Sequence, residues 1–349
     1  MSDYNYTDED YDIICEIDSF PILRVAFVSF GTMLSLLGTV CNGLLLFVFI
    51  RRPPERTTLY HTVLALLDLM LCLLYIFVFS FNRFAVTFRI ESLYYFVWST
   101  NVFMFALSRM VQCAIPYVLI ASTADRLALV SGRKSITTSE KGRILVVIIM
   151  LVVIVSLRLP SLFAMKVYSE ERECDHFMSK MLIATPLLES TVYRTFDFVV
   201  QFLHIFASFV ILLILNIVIV KTLRECHRAV RRQSNMMGLV LQLKTSIEDE
   251  ERKEKLKVRS AVRTTVVLIS SYLACNSLHF CLYIMEQFNT IVLQDEQGNF
   301  HWLYVVLSDL VSNLFVVSST VRLFIYYKYN NEIRIRVDEV VYRQKHILL

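Results

Sequence analysis

The residues that could carry chemistry are polar and charged side chains set inside long apolar stretches. Asp68, Arg109, Gln112, Asp125, Arg126, Asp197, Gln201, Glu286, Asp309 and Arg322 all interrupt or border runs that are otherwise hydrophobic. A charge at the centre of a bilayer costs at least about 2.5 kcal/mol, so each such residue needs a partner or a wet cavity. No metal-ligand spacing links them, and the lone His204 and His279 read as structural. No catalytic centre, metal or cofactor is expected. The chemistry that suits these residues is recognition of a polar ligand and rearrangement of buried charge.

The elements that position them follow from composition. Of 349 residues, 56% are hydrophobic and 19% charged, and the mean hydropathy is +0.56. A soluble globular domain does not have this balance. Seven apolar segments are long enough to cross about 30 Å of hydrocarbon as helices. They are Val25–Ile50, His61–Phe81, Val102–Ala124, Ile144–Met165, Phe196–Val220, Thr264–Met285 and Trp302–Tyr327. Helices satisfy their own backbone groups, as lipid requires. The third carries polar groups at both depths, with Arg109 and Gln112 near one end and Asp125-Arg126 at the other, so it is expected at the bundle centre. The sixth, with Ser270, Ser271, Asn276, Ser277 and His279, is expected to be the least apolar. The predicted fold is an all-α membrane protein, a seven-helix bundle followed by a short amphipathic C-terminal helix.

Lys and Arg set the orientation. Roughly 25 fall in the connections after the first, third and fifth spans and after the seventh, and about 7 in the alternate set. The basic side is placed in the cytoplasm. Residues 1–24 then form an extracellular tail, 25–327 the membrane domain, and 328–349 a cytoplasmic helix and tail. The first 20 residues are acidic and lack a signal-peptide pattern, so the first span is expected to direct insertion. Their composition predicts a solvated segment. It includes Asn5-Tyr6-Thr7, a glycosylation triplet usable on the outer side. The fifth-to-sixth connection reads as two helical extensions around a centre near Gln233–Gly238. After the seventh span, Tyr329, Ile333, Val337, Val340 and Val341 share one helical face, which suits a helix on the inner membrane surface.

Motifs in these spans narrow the family. Gly38-Thr39-Val40-Cys41-Asn42, Leu64-Ala65-Leu66-Leu67-Asp68, Asp125-Arg126-Leu127, Tyr272 through Leu278, and Arg322 through Tyr326 occur in order, one per span. Together they resemble the GxxxN, LAxxD, D-R-Y, F-x-x-C-W-x-P and N-P-x-x-Y signatures of rhodopsin-like (class A) G-protein-coupled receptors. Leu215-Asn216 and the RLxIY ending are similar to the divergent nematode neuropeptide-receptor branch. The chain departs from the pattern in several places. Asn101 stands where the family has its third-helix cysteine, the fourth span has no tryptophan, and Ser208, Leu278 and Leu323 stand where prolines are usual. The hinge of the sixth helix must then lie elsewhere, at Ser271, Asn276 or Ser277.

The resemblance implies a plasma-membrane receptor that couples an outer ligand to a heterotrimeric G protein, with arrestin as a further partner and no nucleic-acid partner. It implies that Asp125 restrains Arg126, the G-protein switch, together with Tyr326. The acid that many members carry on the sixth helix is missing, since that end holds Lys255, Lys257 and Arg259, and raised basal signalling follows. Asn42 marks the first-helix motif. Family members pair the second-helix aspartate with a seventh-helix asparagine, often around sodium; here Arg322 stands in that asparagine's place. Two readings stand for it: an Asp68–Arg322 ion pair, or an arginine snorkelling to the inner surface. The outer pocket would take Arg109, Gln112, Asp197, Gln201, Glu286 and Asp309, with His204 and His279. Counting acids over bases, it would steer a cationic or amidated neuropeptide. Arg109 either takes a ligand carboxylate or carbonyl, or pairs with Asp197 or Asp309. Cys15 and Cys174 are the cysteines on the oxidising side, either bridged or separately free. Residues 321–349 contain no Ser, Thr or Cys, which leaves Ser234, Thr245 and Ser246 for regulatory phosphorylation. The alternatives are a chemosensory receptor for a small molecule and a transporter. The lack of internal repeats and of paired Gly/Pro breaks disfavours the last.

Overall fold

The structure is a computed structural model that describes residues 21–51, 58–131, 137, 139–169, 177, 180–237, 245–288 and 302–345. Asn5, Cys15 and Cys174 lie outside the described residues, as do the side chains of Ser234, Thr245, Ser246, Lys255, Lys257 and Arg259.

Seven helices are long and apolar enough to span a membrane: Ile22–Ile50, Thr58–Thr87, Glu91–Leu129, Glu140–Leu162, Thr191–Thr222, Val262–Gln287 and Leu303–Tyr329. The chain is an all-α multi-pass membrane protein. The spans are longer than their apolar cores at nearly every end, because polar residues such as Glu91 and Glu140 extend the helix beyond hydrocarbon. The third starts 11 residues before the apolar run at Val102. The fourth stops at Leu162, and Met165 belongs instead to a strand. Hydropathy in the sixth and seventh spans is equally low, at 1.5 each. The fifth helix runs on to Met237 and the sixth begins at Thr245; the two extensions are present as read, but Gln233–Met237, read as the centre between them, belongs to the fifth helix.

A hairpin between the fourth and fifth spans was not foreseen. Strand β1 (Met165–Ser169) pairs antiparallel with β2 (Lys180–Ala184), Met165 opposite Ala184 and Ser169 opposite Lys180. Lys180 Nζ rests 4.2 Å from the ring centre of Tyr95, at the start of the third span, which ties the hairpin to the bundle by a cation–π contact.

The first, second and seventh helices form the tightest block. The first and seventh run parallel and the second antiparallel to both. Tyr75 donates to Asn313 Oδ1 (2.7 Å), Asn313 Nδ2 donates to the Phe27 carbonyl (3.1 Å), and the Thr32 and Ser80 hydroxyls lie 2.7 Å apart. Lipid gives no hydrophobic drive between helices, so close packing and such hydrogen bonds must hold them. The third helix is buried along much of its length, with Val111, Ile115, Val118 and Leu119 in the main core. The fourth is peripheral: Leu145, Ile148, Ile149, Val152 and Val153 turn outward as a lipid-facing surface.

The last helix, Asn331–Lys345, buries Ile333 and Val337 against Val48, Phe49 and Tyr326. Tyr329 and Val340 pack at its edge, whereas Val341 is 53% exposed and falls off the expected face. Asn330 caps it, its Oδ1 accepting from the Ile333 amide at 3.2 Å.

Gly38 sits where the three tight helices meet. A Cβ there would come within 2.6 Å of Cys72 Sγ and of Thr320 Oγ1, whereas one on Gly43 would meet nothing within 4 Å. Gly38→Ala is therefore expected to lower stability by roughly 1–3 kcal/mol. Gly43→Ala should leave it unchanged or raise it by up to about 1 kcal/mol. Thermal unfolding of the detergent-solubilised protein checks both, and equal effects at the two positions would contradict the close approach.

Candidate functional site

A polar cavity of about 450 Å³ opens at the end of the bundle that holds the start of the first helix. Helical spacing explains its lining. Arg109 and Gln112 are three apart on the third span, while Arg194, Asp197, Gln201 and His204 form one stripe of the fifth. His279, Tyr283 and Glu286 form another on the sixth. These stripes face inward because a lipid-facing position would leave them unsatisfied.

Arg158 completes the lining and was missed in the sequence reading. It ends the fourth helix, is 2% exposed, and reaches Asp197 Oδ1 with Nη1 (3.5 Å) and Gln201 Oε1 with Nη2 (3.3 Å). The signal was available, since Arg158 interrupts an apolar run as Arg109 and Arg322 do. Glu286 accepts a hydrogen bond from the Tyr304 hydroxyl at 2.7 Å. Gln112 donates to Ser108 Oγ at 3.2 Å. Arg109 lies over the Phe105 ring, 5.1 Å from its centre; Asp197 attracts it across the cavity without direct contact, and among the described residues it forms no ion pair with Asp197 or Asp309. Asp309 does not line the cavity; Arg24 of the first helix holds it, Nε to Oδ2 at 3.5 Å. The expectation that acids outnumber bases is also corrected. Among the described residues three arginines line the cavity against two carboxylates, Asp197 and Glu286.

His204 enters the lining through a break in helical register. Residues Leu203–Ala207 form a π turn, and Ser208 follows it where a proline was expected. The Ser208 hydroxyl donates to the His204 carbonyl, and the Tyr117 hydroxyl donates to the Leu203 carbonyl at 3.0 Å. A π turn leaves carbonyls without their usual helical partners, and these two hydroxyls supply them. A second π turn, Ile76–Ser80, interrupts the second span. The sixth helix shows no such break: Asn276 Nδ2 donates to the Tyr272 carbonyl (2.8 Å) and the Ser277 hydroxyl to the Ala274 carbonyl (2.8 Å).

Mid-bundle, Arg322 Nη1 meets Asp68 Oδ2 at 2.5 Å, with the two side chains 3% and 1% exposed. Arg322 thus points into the core rather than snorkelling. Asn42, fully buried, donates through Nδ2 to Ser319 Oγ (3.3 Å), and the Ser319 hydroxyl donates to the Asp68 carbonyl (3.3 Å). The position beside Asp68 is filled by a guanidinium, so the residues present do not fit a sodium ion there.

At the far end, Arg126 Nη2 lies 2.6 Å from His61 Nε2, and His61 Nδ1 lies 2.7 Å from the Tyr326 hydroxyl. A guanidinium can only donate. Nε2 must therefore accept, which puts the proton of a neutral ring on Nδ1 and makes Tyr326 the acceptor. Phe49 stacks on His61 with ring centres 5.9 Å apart. The resemblance gave the restraint of Arg126 to Asp125; here His61 holds it, and Asp125, 5% exposed, lies near Tyr60. Sequence reasoning missed His61 because it stands at the edge of an apolar run, where a polar residue needs no special explanation. Compared with known proteins, the chain matches no family model and no curated protein.

Two outcomes follow. Asp68→Asn leaves Arg322 charged and buried, and is expected to cost roughly 3–5 kcal/mol. Asp68→Leu combined with Arg322→Met should recover much of that in thermal unfolding; no recovery would mean the pair is not what the loss reports. His61→Ala strips Arg126 of an acceptor and should cost about 1–3 kcal/mol, whereas His61→Gln, which keeps a side-chain acceptor, should cost less. The same unfolding assay ranks the two.

Proposed function

We propose that the chain is a rhodopsin-like G-protein-coupled receptor of the plasma membrane, activated by an extracellular peptide. The observation that carries this reading is a shared set of helices. The third, sixth and seventh spans bear cavity residues or their partners at one end, Arg109, Glu286 and Tyr304. The third and seventh bear the buried bridge partners, Arg126 and Tyr326, at the other. A ligand that binds one arrangement of these helices better than another shifts the population between them, and its differential affinity sets the size of the shift.

The charge count over the connections supports placing the cavity on the outer side and the Arg126–His61–Tyr326 bridge at the cytoplasmic end of the bundle. A cavity of about 450 Å³ lies within the usual range for small-ligand sites, 300 to 1,000 Å³. It admits the terminal residue or two of a peptide, with the rest at the rim. Opening the bundle toward a G protein requires the bridge to separate, which frees the Arg126 guanidinium.

Membranes of cells expressing the chain with a heterotrimeric G protein test this. A peptide from a library with defined termini should raise guanine-nucleotide exchange. Arg126→Ala should abolish the increase, with surface expression kept within about twofold. Peptide uptake into vesicles without nucleotide exchange would overturn the receptor reading in favour of transport.

A further inference from the structure

We infer that the cavity is built to take a carboxylate, and that Arg109 receives it. This rests on reading the cavity as the ligand site. Of its three arginines, Arg158 is committed to Asp197 and Gln201, and Arg194 Nε donates to the Leu188 carbonyl at 3.3 Å near the rim. Of the two carboxylates, Glu286 is occupied by Tyr304 and Asp197 by Arg158. Arg109 is left with an aromatic face at 5.1 Å and with no hydrogen bond or ion pair among the described residues. A half-buried guanidinium without an acceptor is costly in a low-dielectric surround and is relieved by an incoming anion.

A second polar group in the same cavity is open to a ligand. His204 is 6% exposed, lines the same cavity, and its Nδ1 has no hydrogen-bond partner. The cavity thus holds a guanidinium with no hydrogen-bond acceptor among the described residues and a ring nitrogen with no partner. A guanidinium presents paired N–H groups in one plane and matches the two oxygens of a carboxylate better than a single amide oxygen. The carboxylate can come from a peptide chain end or from an acidic side chain, since the chemistry at Arg109 is the same.

Three probes separate these sources: N-acetylphenylalanine, its neutral amide, and N-acetyl-aspartyl-phenylalaninamide. Each is titrated against the melting temperature of the full chain in detergent. At least one acid should half-saturate at a concentration roughly tenfold or more below that of the neutral amide. Whichever acid does so identifies the chain end or the side chain as the source. The gap should narrow but remain in Arg109→Lys, which keeps the charge and loses the paired N–H groups, and shrink to within about twofold in Arg109→Gln. Without probe, Arg109→Gln should melt no lower than the parent, because it removes a half-buried charge that has no hydrogen-bond acceptor among the described residues. The inference is overturned if the amide stabilises as well as both acids, if no probe shifts the melt, or if the gap survives Arg109→Gln. No G protein enters this measurement. Acid discrimination without any peptide-stimulated exchange would sink the receptor reading alone; exchange driven best by amidated peptides, with no discrimination, would sink this inference alone.

Discussion

The buried contact between Asp68 and Arg322 is the constraint on which the rest of the bundle depends. Two charges in the low-dielectric middle of a membrane protein are tolerable only in contact. Their contact at 2.5 Å fixes the depth and rotation of the second helix against the seventh. Ser319 and Asn42 then bring the first helix to the same point. Gly38, one turn from Asn42, lets the helices approach closely enough for those bonds to form. Once this block is set, the positions of Tyr326 and His61 below it and of Tyr304 and Asn313 above it follow from helical rise.

Breaks in helical regularity do the remaining placement. The π turn at Leu203–Ala207 brings His204 into the cavity, and its displaced carbonyl is met by Tyr117 from the third helix. A serine, Ser208, follows it. Proline removes a backbone donor, whereas a π turn keeps the donors and changes the register. The fifth helix is therefore irregular without any residue that would announce it.

The polar groups sort into three levels along the bundle axis. The cavity level carries an excess of arginine over carboxylate among the described residues, the middle level is closed by one ion pair, and the far level joins Arg126 to Tyr326 through a neutral imidazole. Each level is contributed by helices that also reach the next. A change in packing at one end therefore has contiguous side chains through which to act.

The number of spans, their approximate limits and the amphipathic C-terminal helix were all legible in the sequence, because hydropathy is summed over about 20 residues and tolerates local error. The Asp68–Arg322 contact was one of two readings, since two isolated opposite charges in apolar runs have few other ways to be satisfied. What tertiary structure decided was which polar residue meets which. Asp197 goes to Arg158 and not to Arg109, Asp309 to Arg24, and Arg126 to His61 and not to its neighbour in sequence. Periodicity assigns a residue to a helix face. The partner across that face depends on helix rotation, depth and register, and these are set by the packing of all seven helices together.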